Sequence, residues 1–264
     1  MRIPRIFGQN QVTIPANSKY SLDSNRFSND GDLPVALADI MMKTQRTWVQ
    51  IRSTRGIEWM KEPVFSPLLC NEYRGVNSSD ALLRRWRLRH PFYLGPHDGL
   101  NLHLENRTAQ AATFGMSIQA VKDQQLTEAP RAPWTPRILF AEEESDSAIT
   151  EAMLDTQRLQ NWGDKPMCVH AISVVAENVG GARLDFDSFS MRIRVGGDLW
   201  MRDDNSLPIG MLRSYWTNQI QIPDVWVKPT DTFYVRVSAA ASTNVRTIRL
   251  AVIGSVGPEE RMLR

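Results

Sequence analysis

Histidine is among the scarcest chemistry-bearing residues of this chain, with four in total, and three of them, His90, His97 and His103, fall close together. A zinc centre would need His97 and His103 drawn onto one site with a carboxylate such as Asp98, because the ion takes a tetrahedron of N, O or S ligands. The residues around them argue otherwise. Pro96-His97-Asp98-Gly99 has the composition of a turn, and Leu100-Asn101-Leu102-His103-Leu104 alternates as a half-buried strand does. That alternation places His103 with Asn101 on the solvent side, away from the three leucines. No metal is expected there. Asp203-Asp204-Asn205 lacks the spaced ligands and the glycine of an EF-hand loop, so it is expected to be a surface turn. Glu58 and Glu62 are carboxylates, but a hydrolytic pair is defined by a separation that sequence does not contain. The chain has no Gly-x-Gly-x-x-Gly, no phosphate-binding Gly-x-x-x-x-Gly-Lys loop, no His-Glu-x-x-His and no Gly-x-Ser-x-Gly. The expectation is a non-enzyme without cofactor or small-molecule substrate.

The elements that would carry these residues repeat. Placing Pro96 on Pro229 sets Asp98 on Asp231, Leu100 on Phe233, Leu102 on Val235 and Leu104 on Val237. Upstream, Trp59-Met60 corresponds to Trp200-Met201, and Val35 to Ile40 corresponds to Cys168 to Ser173. Order and spacing together indicate a tandem pair of similar domains, each of roughly 120 residues. Asp98 and Asp231 suit a turn in which the carboxylate accepts backbone N–H bonds. Trp59 and Trp200 have two readings, stacking platforms for sugars or bases and fillers of a core. Duplication favours the core, since repeated sequence preserves packing first.

Period two dominates the chain: Lys19 to Leu22, Thr47 to Arg52, Phe189 to Val195, Thr217 to Ile222 and Val245 to Ile253 all alternate. Turn residues separate them, and the fold class expected is all-β, two tandem antiparallel β-sandwich domains with short helices in the connections. The domains are placed at 1–126 and 137–264. Between them, 127–136 contains Pro130, Pro133 and Pro136, a stiff connector. Two helices are predicted. One is Ser147 to Trp162, with Ile149, Ala152, Met153 and Leu159 near helical spacing and Asp146 as its cap. The other is Ser79 to Arg89, apolar at Leu82, Leu83 and Trp86 and basic at Arg84, Arg85, Arg87 and Arg89. Its arginines form either a contact for an acidic neighbour or a solvated face.

Composition sets bounds. With 264 residues, 42% hydrophobic and 23% charged, the chain has ample core-forming material. A net charge of +2 does not describe a large phosphate-neutralising surface. Cys70 and Cys168 are expected as buried free thiols. Met1 to Gly8 lacks a secretory h-region, and no run of apolar residues has the length of a membrane span, so a cytoplasmic, soluble product is expected. Asn77-Ser78-Ser79 and Asn106-Arg107-Thr108 match the glycosylation sequon by coincidence on this reading.

With Trp59-Met60/Trp200-Met201 and Pro96-His97-Asp98/Pro229-Thr230-Asp231 as its landmarks, nearly the whole chain resembles the double jelly-roll major capsid proteins of tailless icosahedral DNA viruses, small membrane-containing bacteriophages among them. The resemblance implies two eight-stranded jelly rolls per chain and a homotrimer of pseudo-hexagonal outline that tiles a shell. It also implies neighbouring capsomers and minor capsid proteins as partners, with a membrane or the genome beneath, and a virion location after synthesis in the host cytoplasm. Arg2, Arg5, Arg261 and Arg264 would then face an acidic underlayer, and Arg84 and Arg85 a neighbour. The alternatives are an accessory virion protein (spike, decoration or tail component) and a carbohydrate-binding β-sandwich module.

Overall fold

A computed structural model describes residues 2–22, 27–44, 46–70, 72–74, 83–123, 134–184, 189–195, 198–199, 207–208 and 219–257. The chain divides into two compact units, Met1–Ile138 with Ser255–Arg264, and Leu139–Gly254.

The first unit is built from β1 (Arg2–Ile14), β2 (Ser18–Leu22), β3 (Val35–Thr44), β4 (Trp48–Ser53), β5 (Val64–Phe65), β6 (Glu72–Arg74), β7 (Leu83–Leu94), β8 (Leu100–Asn106) and β9 (Ala112–Asp123). Two sheets result, ordered β1-β9-β3-β7-β6 and β2-β8-β4-β5. The chain crosses from one sheet to the other and back, which is the order of an antiparallel jelly roll. The alternation of β8 explains its place: Leu100, Leu102 and Leu104 are fully buried while His103 is exposed. Each buried side chain of this size contributes about 1.5–3 kcal/mol. Trp59 has no exposed surface and meets Trp86 and Phe92 edge-on, with centroids 5.9 Å and 5.0 Å away.

The second unit repeats the plan. β10 (Thr135–Glu144), which starts just before it, is followed by β11 (Glu151–Met153), β12 (Met167–Asn178), β13 (Phe189–Val195), β14 (Asp198–Leu199), β15 (Leu207–Pro208), β16 (Gln219–Val227), β17 (Phe233–Ala239) and β18 (Val245–Val256). Its sheets run β10-β18-β12-β16 and β11-β17-β13-β14, with β15 also paired to β13. Four strands of each sheet follow the order of the first unit, while β6 has no counterpart among the described strands of the second, and β13 pairs with both β14 and β15 where β4 pairs with β5. Leu104 pairs with Tyr20 on β2 and Val49 on β4, and Val237 pairs with Ala152 on β11 and Met191 on β13. Phe233, Val235 and Val237 are buried as their counterparts are. Two tandem all-β jelly-roll units make up the chain.

Both predicted helices are corrected. Within Ser147 to Trp162 the structure has only the short strand β11 and turns, because Ala152 and Leu154 turn inward while Glu151 and Met153 face out. Pairing with β17 decides between the two periods. The described part of Ser79 to Arg89 belongs to β7, held between β3 and β6. There Trp86 and Leu88 are buried and Arg87 and Arg89 exposed, a period of two that four arginines disguised as an amphipathic helix.

Candidate functional site

Each unit contains the same corner, made from a buried asparagine and a Pro-x-Asp turn. Asn29 is 3% exposed, and its amide donates to the carbonyls of Leu33, Leu94 and Gly95 at 2.9, 3.3 and 3.0 Å. Asn161 is 0% exposed and donates to Lys165, Val227 and Lys228 at 3.2, 3.1 and 3.0 Å. The backbone of each also grips the turn. Asn29 N–H donates to Asp98 and its carbonyl accepts from His97; Asn161 does the same with Asp231 and Thr230. Such bonds satisfy carbonyls at the ends of β7 and β16, which burial would otherwise leave short of partners.

The turns themselves match. Asp98 Oδ2 accepts from Gly95 N–H at 2.8 Å, and Asp231 Oδ2 from Lys228 N–H at 3.3 Å. His97 and Thr230 both lie in the left-handed region, at φ 60° and 67°. The first turn carries an addition. Arg55 binds both oxygens of Asp98, at 2.7 and 2.6 Å, and a Cβ added at Gly95 would collide with that pair.

The outward row of β7 forms a second cluster. Arg85, Arg87 and Arg89 occupy alternate positions, and Arg85 binds Asp39 twice, at 3.1 and 2.6 Å, with Arg87 adding a bond of 3.3 Å. Burial on its own would raise the Asp39 carboxyl. The guanidinium groups of Arg85 and Arg87 outweigh it and hold the group below its ordinary value. Glu105 behaves alike, raised by burial but lowered further by Arg107 and Lys19.

The remaining candidates are dispersed. His103 Nδ1 lies 2.9 Å from the Ser21 hydroxyl on the exposed face of β8. His90 stacks on Trp134 at 3.9 Å. Among the described residues no group of three His, Cys, Asp or Glu side chains could hold a metal. Cys70 and Cys168 are buried thiols, and Cys70 Sγ donates to the Ser66 carbonyl at 3.7 Å. Arg5 is exposed on β1; Arg2 lies on β1 and Arg84 on β7. Trp200, Asp203 to Asn205, Arg261 and Arg264 lie outside the described residues. Pro96 and Pro229 open the two turns described above.

Sequence reasoning found the turns and missed the asparagines that anchor them. Phe27-Ser28-Asn29 and Leu159-Gln160-Asn161 share an apolar-polar-Asn pattern, the one signal available, and three residues are too few to recognise alone.

No protein family matches this chain by sequence profile, and no curated protein sequence matches it. Among solved structures it is similar to the major capsid protein P2 of bacteriophage PM2, with a TM-score of 0.48 and 10% identity over 98% of this chain and 99% of that one. It is similar to the mavirus major capsid protein at a TM-score of 0.35 and 7% identity, covering 96% and 86%. A chain of the Sputnik virophage gives 0.32 and 8%, covering 94% and 86%.

Proposed function

We propose that this protein is a structural virion protein, a major capsid protein whose trimers tile an icosahedral shell, and that it catalyses no reaction. The observation that carries the reading is the duplication itself: two jelly rolls of one strand order in a single chain, each with the same Asn-anchored corner. Three such chains bring six similar sandwiches to one assembly. A ring of six near-equivalent blocks packs a hexagonal net, while the chain needs only three-fold symmetry to build it. Its partners are copies of itself, neighbouring capsomers and minor capsid proteins, with a membrane or the genome beneath. The virion is its location and the host cytoplasm its place of synthesis. The outward row of β7, Arg85 with Arg87 and Arg89, contacts an acidic neighbour on this reading; Arg84 is proposed as a further partner contact, and Arg2, Arg5, Arg261 and Arg264 as contacts for the underlayer.

Sedimentation of the full chain provides the test. The expected species has three times the 30.0 kDa chain mass and persists on dilution. Its interfaces should together exceed the roughly 1,600 Å² of a standard pairwise complex. A monomer at every concentration, retained on a glycan array, would instead support a carbohydrate-binding module.

A further inference from the structure

The first strand of each jelly roll carries the same three residues near its start. Pro4-Arg5-Ile6 lies on β1 and Pro136-Arg137-Ile138 on β10, and each strand ends its sheet, next to the last strand of its own jelly roll, β9 or β18. The two isoleucines differ in their surroundings: Ile138 is 1% exposed and Ile6 73%. At Ile138 the backbone edge is taken by Trp59-Met60. Met60 bridges Ile138 in parallel, and Ile138 N–H donates to the Trp59 carbonyl at 2.8 Å, all within Met1–Ile138. Trp59 and Met60 themselves have no exposed surface.

At Ile6 the same edge is open. β1 ends the order β1-β9-β3-β7-β6, and β9 is its one strand partner among the described residues. Proline sits in an edge strand with its nitrogen turned away from the neighbouring strand. Alternate residues of an antiparallel ladder turn the same way, so Ile6, two beyond Pro4, presents its N–H outward as Ile138, two beyond Pro136, does. An open edge with an exposed apolar side chain is a template for another segment of chain. The sequence contains that segment a second time. Gly56-Ile57-Glu58-Trp59-Met60 corresponds to Gly197-Asp198-Leu199-Trp200-Met201, and the strands approach it in one register, Leu199 opposite Arg194 as Glu58 is opposite Arg52. Trp200 and Met201 lie outside the described residues. Each chain thus has two Trp-Met segments and two edge isoleucines, of which Ile138 is covered within the chain and Ile6 is not. We propose that Ile6 on β1 is the docking point for Trp200-Met201 of a second copy of this chain, with the bridge of Met60 to Ile138 repeated between chains. Unlike patches meet in such a contact, so it repeats head to tail and closes into a ring where the rotation permits. The contact rests on the duplicated residues; closure at three chains rests on the virion reading.

Cysteine cross-linking of the full chain tests the contact. Bridged neighbours bring their Cα atoms into the range of about 4.4–6.8 Å that a disulfide spans. Ile6→Cys combined with Met201→Cys should join separate chains under mild oxidant, read on a non-reducing gel. Either change alone should give no such product, since Cys70 and Cys168 are buried. Ile6→Asp provides a second reading. Its side chain is exposed in the single chain but would be buried without a counter-charge in the contact. It should leave the thermal midpoint unchanged while raising the concentration needed for assembly, followed by sedimentation, more than about tenfold. Ile6→Leu should assemble as the parent does. A parent that sediments as a trimer, with Ile6→Asp assembling equally well and no cross-link from the double variant, would overturn the docking point and leave the virion reading standing. Cross-linked product that stops at two chains would support the contact and contradict the ring of three. A parent monomeric at every concentration, with no cross-link, would overturn both.

Discussion

Asn29 and Asn161 perform one task in two places: each is buried, and each spends its amide on three backbone carbonyls around a Pro-x-Asp turn. Replacing either with Ala removes the amide donor from all three carbonyls; Gly95 and Lys228 keep the N–H of Asp98 and Asp231, while the buried bonds to Leu94 and Val227 are lost. The expected cost is about 1–3 kcal/mol for each. Because the residues belong to different units, the double variant should lose close to the sum. Calorimetric midpoints of the two single variants and the double variant check this, and a loss at one asparagine alone would show that the corners are not equivalent.

Thr230 sits at φ 67°, where a β-branched side chain crowds its own backbone. The turn is held by backbone groups, since Thr230 N–H donates to Asn161 and its carbonyl accepts from the Gln160 side chain at 2.9 Å. Thr230→Gly keeps these bonds and removes the strain, so it should stabilise the second unit by about 1 kcal/mol. Denaturant titration reads the change, and a destabilised variant would mean that the methyl or hydroxyl has a role of its own.

Asp39 gives the first unit an acid-sensitive contact. Its folded value lies below the ordinary 3.8, so its contribution is complete above that pH and is lost as pH falls through the folded value. Asp39→Asn should therefore be much less stable than the parent at pH 7, with Arg85 left facing a neutral group, and nearer to it at pH 2. Urea midpoints at both pH values measure this. Equal gaps at the two would contradict the ion pairing.

Arg249 joins two carboxylates in the second unit, Glu142 at 2.7 Å and Glu177 at 2.6 Å, with 8%, 13% and 6% of the respective side chains exposed. Removing the cation leaves both acids facing each other out of water, a loss of about 3–5 kcal/mol. Arg249→Met should lower the thermal midpoint steeply. Adding Glu142→Gln and Glu177→Gln to it should recover part of the loss, because the stranded charge is then gone.

Much of the fold was legible because burial on one face writes a period of two into the chain. Leu100, Leu102 and Leu104 announced β8, and Pro96-x-Asp98 its turn. The helix expected over Ser79 to Arg89 went wrong where the arginines, spaced for a sheet, also fit a helical face once Trp86 is taken as its apolar side. The helix over Ser147 to Trp162 failed because three residues of β11 are too few to display their own period. Asn29 and Asn161 were illegible for another reason. Their acceptors, such as Leu94 and Val227, lie far along the chain, and no local pattern records a bond of that kind.

The central claim is that six sandwiches from three chains form one block of a shell. Electron micrographs of the purified full chain, averaged without imposed symmetry, test it most directly. The account predicts three-fold particles with six lobes around a pseudo-hexagonal rim. Averages containing a single two-lobed chain at all concentrations, or a two-fold dimer, would contradict it.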